Sequence, residues 1–104
     1  MIKEAIANLV SMQSLTFEEA AQVMEEIMTG EATPAQFAAV VTALRVKGET
    51  AEEIAGLASV MRSKATPVPV TVPVIDTCGT GGDGCFTFNI STAAAFVAAG
   101  AGLK

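Results

Sequence analysis

The run Asp76-Thr-Cys-Gly-Thr-Gly-Gly-Asp-Gly-Cys-Phe-Thr-Phe-Asn-Ile-Ser-Thr92 joins an extended apolar stretch to an alanine-rich one. Gly79, Gly81, Gly82 and Gly84 lie close together in it. A backbone without Cβ atoms can take positive φ and bring its N–H groups up to an anion. Asn89, Ser91 and Thr92 stand just before a helix expected from about Thr92 to Ala99, with Gly100 and Gly102 as its stop. The first-turn N–H groups and the dipole of that helix favour the same anion. Thr80 and Thr87 add neutral donors, which suits a phosphate ester whose charge is shared with magnesium. No lysine stands inside the loop, so it is not a Walker A site, and Gly79-x-Gly81-Gly82-x-Gly84 is not the dinucleotide-binding spacing. The plain alternative is a tight strand-to-helix connection, with Ser91 or Thr92 an N-cap and Asp83 a turn residue.

Upstream, Thr66-Pro-Val-Pro-Val-Thr-Val-Pro-Val-Ile75 carries three prolines that forbid a helix interior. It reads as a linker feeding a strand from Val72 or Val74 to Asp76 or Thr77. Farther back, three Ser/Thr-x-x-Glu/Gln signatures, Thr16 to Glu19, Thr33 to Gln36 and Thr50 to Glu53, mark helix starts. Gly30 and Gly48 stand where C-caps belong, and Pro34 occupies a first helical position. Helical spacing places Phe17, Ala20, Ala21, Met24, Ile27 and Met28 on one face, Phe37, Val40, Val41 and Leu44 on a second, and Ile54, Leu57, Ala58 and Met61 on a third. A shorter helix, roughly Ile2 to Met12, completes the set. The fold class is mainly α: an N-terminal four-helix cluster over residues 1–65, a proline-rich linker over 66–73, and over 74–104 the first strand, glycine loop and helix of an incomplete α/β domain.

Composition narrows the function classes. A hydrophobic fraction of 51% against 16% charged residues excludes disorder. A net charge of −5 with scattered Lys and Arg gives nucleic acid no purchase. No membrane span or secretory signal is evident, and a cytoplasmic address is expected. Cys78 and Cys85, with no histidine in the chain, fit neither a disulfide framework nor a zinc site and are read as reduced packing residues. Glu18, Glu19, Glu25 and Glu26 read as a solvated face. The helical part has more apolar surface than four short helices can bury, so a homodimer through it is expected.

The pairing of Gly79-Thr-Gly-Gly-Asp83 with Asn89-Ile-Ser-Thr92, behind a set of capped helices, resembles the anthranilate phosphoribosyltransferase family along the whole chain. Pyrimidine nucleoside phosphorylases share the plan, but their glycine loop typically includes a lysine, which is absent here. The resemblance implies that Gly79, Gly82, Asp83, Thr87, Asn89, Ile90, Ser91 and Thr92 touch phosphoribosyl pyrophosphate, that Ser91 ligates Mg2+, and that Gly79 borders the anthranilate pocket. It implies attack of the anthranilate amine on C1 of the ribose as pyrophosphate leaves, a step of tryptophan biosynthesis that demands stabilisation of the leaving group's charge. The family's Lys-His-Gly-Asn segment, its anthranilate-binding arginine and its Asp-Glu metal pair lie beyond Lys104, so this chain alone is expected to be an inactive fragment. The reading from another class is a helical interaction module with a merely structural glycine loop.

Overall fold

The computed structural model describes residues 1–79, 84 and 87–104. They form five helices and, among the described residues, no strand: α1 (Ile2–Val10), α2 (Phe17–Met28), α3 (Pro34–Lys47), α4 (Ala51–Lys64) and α5 (Ile90–Gly100). The chain divides into two compact units, Met1–Thr66 and Pro67–Lys104.

In the first unit all three capping boxes form. Thr16, Thr33 and Thr50 accept from the backbone N–H of Glu19, Gln36 and Glu53, and those three side chains accept in turn from the cap N–H groups at 2.8–2.9 Å. Each reciprocal cap satisfies two orphan donors and is worth about 1 kcal/mol. Helix α3 opens on Pro34 and closes on Gly48, whose φ of 88° a side chain would resist. Helix α1 ends at Val10, short of the expected Met12, because Met12 takes a left-handed φ of 63° and turns its N–H back to the Leu9 carbonyl. Glu26 is not a member of a solvated face: it is half-buried and accepts from the Ile2 N–H at 3.1 Å, serving helix α1 where it has no side-chain cap of its own. Glu25 pairs with Lys64.

Helix α2 packs on α4 and α1 on α3, with α1 also touching α2. The core consists of Ile2, Ala5, Leu9, Leu15, Ala20, Val23, Val40, Ala43 and Leu44. Hydrophobic spacing misplaces part of each of the three expected faces. On α4 the buried residues are Glu53 and Gly56, Leu57 is half-buried, and Ile54 and Met61 are exposed. On α2 the fully buried Val23 was not among the expected positions, while Phe17 and Met28 lie out. Phe37 and Val41 of α3 are exposed as well. On α2 and α4 the cause is the close approach of the two helices. A Cβ on Gly56 would overlap the Phe17 carbonyl oxygen and stand 2.9 Å from the Ala20 Cβ. Small residues at the crossing let the two backbones meet, and that contact sets the rotation of both helices.

The buried Glu53 carboxylate ties three segments together. Its Oε1 accepts from the Leu15 N–H at 2.9 Å, and its Oε2 accepts from the Thr50 N–H at 2.8 Å and the Lys47 Nζ at 2.9 Å. Lys47 Nζ also donates to the Gly48 carbonyl at 2.7 Å and to Ser14 Oγ at 3.2 Å. Burial alone would raise the Glu53 pKa, but the Leu15 and Thr50 N–H donors and the Lys47 ammonium outweigh it and hold the carboxyl below its ordinary value.

In the second unit α5 has no buried residue, and Phe96 and Val97 are more than 70% exposed, at 77% and 73%. The strand expected from Val72 or Val74 to Asp76 or Thr77 is not formed. A strand exists through its ladder, and here a single strand-like bond, Ile75 N–H to the Lys104 carbonyl at 2.8 Å, holds the stretch. Helix α5 starts two residues earlier than the sequence suggests, at Ile90, and ends at Gly100, followed by a turn with Gly102 at φ 87°.

Two substitutions test this packing. A folded-state pKa below the unfolded one means that Glu53 contributes fully above the unfolded carboxyl value of about 4.3 and loses its contribution as pH falls through the folded value. Glu53→Gln is therefore expected to lower unfolding free energy by about 3 kcal/mol at neutral pH, leaving Lys47 without its anion. It should also flatten the stability loss as pH falls below about 5; urea titrations at neutral and acidic pH measure both effects, and parental stability in the variant contradicts the assignment. Gly56→Ala is expected to lower Tm by calorimetry, because overpacking at the α2–α4 crossing costs about 1–3 kcal/mol and exceeds alanine's helix advantage of about 1 kcal/mol.

Candidate anion site at the start of helix α5

The site is built on the N-terminus of α5 and the chain that runs up to Gly79. Asn89 is the N-cap of α5, and its Oδ1 accepts from the Thr92 N–H at 2.9 Å. That places Ser91 and Thr92 inside the first turn, so neither is the cap. It also occupies one of the first-turn donors that an anion would otherwise meet, so the helix offers the N–H groups of Ile90 and Ser91 ahead of that of Thr92. The half-buried Ser91 accepts at Oγ from the Gly79 N–H at 3.1 Å. This bond brings together two positions twelve residues apart in the chain. A Cβ on Gly79 would stand 3.5 Å from the same Oγ, which is ordinary contact.

Asp76 has a local task that strand and helix patterning do not reveal. Its Oδ1 accepts from the Cys78 N–H at 2.8 Å, closing a side-chain turn two residues before Gly79. The signal is present in Asp76-Thr-Cys78, since an aspartate that can reach the backbone N–H two residues on is a frequent turn former. A groove of about 480 Å³ lies against these residues, lined by Asp76, Thr77, Cys78, Ser91, Thr92, Ala95, Phe96 and Ala99. Cys78 is an exposed thiol in that wall, not the packing residue expected.

Of the expected site residues, the structure brings Gly79, Asn89, Ser91 and Thr92 to one helix end. Ile90 is the first residue of α5 and is exposed, and Thr87 is exposed just before it. Gly82 and Asp83 lie outside the described residues, as does Cys85. No group of three or more His, Cys, Asp or Glu that could hold a metal occurs among the described residues, and none of the described helices is long and apolar enough to cross a membrane.

A capped helical bundle followed by an extended segment and a further helix defines a two-part protein. The chain belongs to the glycosyl transferase family: the model of the family's helical bundle domain matches residues 3–65, and that of its a/b domain matches residues 71–104. It is similar to the anthranilate phosphoribosyltransferase of Chloroflexus aggregans, with 71% identity over 102 residues, covering 98% of this chain and 30% of the relative. It is 65% identical over 104 residues to that of Dehalococcoides mccartyi strain ATCC BAA-2266, covering all of this chain and 30% of the relative. With that of Pelotomaculum thermopropionicum it shares 64% over 104 residues, 99% of this chain and again 30% of the relative. The chain thus spans about a third of the length of the curated relatives it matches.

Proposed function

We propose that this chain is the donor-binding opening segment of an anthranilate phosphoribosyltransferase, which moves a phosphoribosyl group from phosphoribosyl pyrophosphate to the amine of anthranilate. The observation that carries the reading is the Gly79 N–H to Ser91 Oγ bond, which draws the start of the glycine loop onto the N-terminus of α5. The family match and the names of the relatives support it. On this reading Gly79, Gly82, Asp83, Thr87, Asn89, Ile90, Ser91 and Thr92 contact the donor, and Gly79 also borders the acceptor. The chain covers 30% of the relatives it matches, so on this reading other residues complete the site and the chain alone is expected to be inactive.

Mg2+ fits the donor set. Among the described residues that line it, the groove has no Lys or Arg, and the one charged side chain is the Asp76 carboxylate. A pyrophosphate entering it meets neutral hydroxyls and a negative charge, so its own charge must be balanced by an ion it brings along. Ser91 and Thr92 hydroxyls and carboxylate oxygen are hard ligands of the kind magnesium accepts. Ser91 Oγ, having accepted from Gly79, keeps a second lone pair for the ion. When bound, Mg2+ would neutralise charge on the leaving pyrophosphate, and the first-turn N–H groups of α5 would hold its oxygens.

A second copy of the chain is the proposed partner of the helical unit. An apolar groove of about 460 Å³ is lined by Leu9, Val10, Met12, Ala38, Ala39, Thr42, Ala43 and Val46. Val10, Met12 and Val46 are 69%, 61% and 74% exposed, an apolar surface that association would cover.

The enzyme reading is tested by replacing the matching segment of the Chloroflexus aggregans enzyme with residues 1–104. The chimera is expected to form phosphoribosyl anthranilate in a magnesium-dependent manner, and a folded but inactive chimera sinks the reading. Sedimentation equilibrium of the chain is expected to show a dimer that Val46→Glu dissociates, and a monomer at every concentration contradicts the partner.

A further inference from the structure

We propose that Asp76 is a positioning residue of the donor site, its carboxylate fixing the turn at Thr77 and Cys78 so that the Gly79 N–H is aimed at Ser91 Oγ. This inference rests on the anion-site reading given above.

A serine hydroxyl carries one hydrogen and two lone pairs, and its rotor chooses among them. The bond from Gly79 occupies one lone pair, which leaves the hydrogen for a phosphate oxygen or the second lone pair for a cation. Ser91 is then oriented before the ligand arrives, and the ordering cost of its side chain is met in the free protein. The bond depends on where the Gly79 amide points, and only Thr77 and Cys78 separate that amide from Asp76. The 2.8 Å contact from the Cys78 N–H to Asp76 Oδ1 is a charge-assisted bond that restricts both intervening peptide planes. Asp76 and Ser91 line the same groove. The carboxylate therefore acts on the donor through Cys78, Gly79 and Ser91.

Two measurements decide this. In the 104-residue chain without ligand, Asp76→Ala is expected to shift the Gly79 amide resonance and to raise its hydrogen exchange about tenfold. Asp76→Asn, which keeps an oxygen acceptor, should hold both near the parent. An unmoved Gly79 amide in Asp76→Ala overturns the proposal whatever becomes of the ligand reading. In the active chimera, Asp76→Ala should raise KM for phosphoribosyl pyrophosphate about tenfold, the worth of one hydrogen bond to a charged group, with KM for anthranilate little changed and with rescue in Asp76→Asn. A lowered Tm with both KM values unaltered shows a purely structural residue and overturns the role. An inactive parent chimera overturns the transferase reading, and the amide measurement still decides the link from Asp76 to Ser91.

Discussion

The helical unit depends on one buried carboxylate. Glu53 is the third residue of α4 and caps that helix, as its sequence pattern requires, yet it is also the acceptor for the Leu15 N–H from the α1–α2 connection and the partner of Lys47 at the end of α3. Leu15 is a core residue, and its amide would be left unsatisfied in the interior without Glu53. Lys47 is nearly as buried, with 5% of its side chain exposed, and its other contacts reach Ser14 and Gly48. Two connections and two helix ends thus converge on a pair of oxygens, and the geometry of each is fixed by the others.

Local chemistry was readable along the chain and three-dimensional packing was not. Capping pairs such as Thr33 with Gln36 are decided within four residues, and they stand where the pattern put them. The buried faces depend on what another helix brings. Ile54 and Met61 recur at helical spacing but lie exposed, because Gly56 is where α4 can approach the Phe17 carbonyl. A hydrophobic count cannot see a glycine as a contact residue, nor a glutamate as a core residue, since both act through backbone geometry and hydrogen bonds. The absent strand has a similar origin. Val72 to Thr77 has strand-forming residues, but a ladder needs a neighbour that the described chain does not supply.

At the candidate site Gly79, Asn89, Ser91 and Thr92 do meet at one helix end, since an N-terminus rich in small and hydroxyl residues is a local feature. The roles within it were only partly legible. Asn89, read as a ligand contact, spends its Oδ1 on the Thr92 N–H, so its first service is to shape the helix end. Ser91 is committed on one side to Gly79 and is thereby held in place. Which side chain caps and which one presents a hydroxyl depends on a one- or two-residue difference in where α5 begins, and helix boundaries are the least sharply encoded feature of a sequence.

The helical unit closes its core, caps and buried ion pair wholly within Met1–Thr66. Its contacts are therefore satisfied as soon as those residues have left a ribosome, and its folding need not wait for any later part of the chain. Helix α5, with Phe96 and Val97 in solvent, has no such independence. During synthesis a folded bundle would thus precede a segment whose apolar side chains are still uncovered.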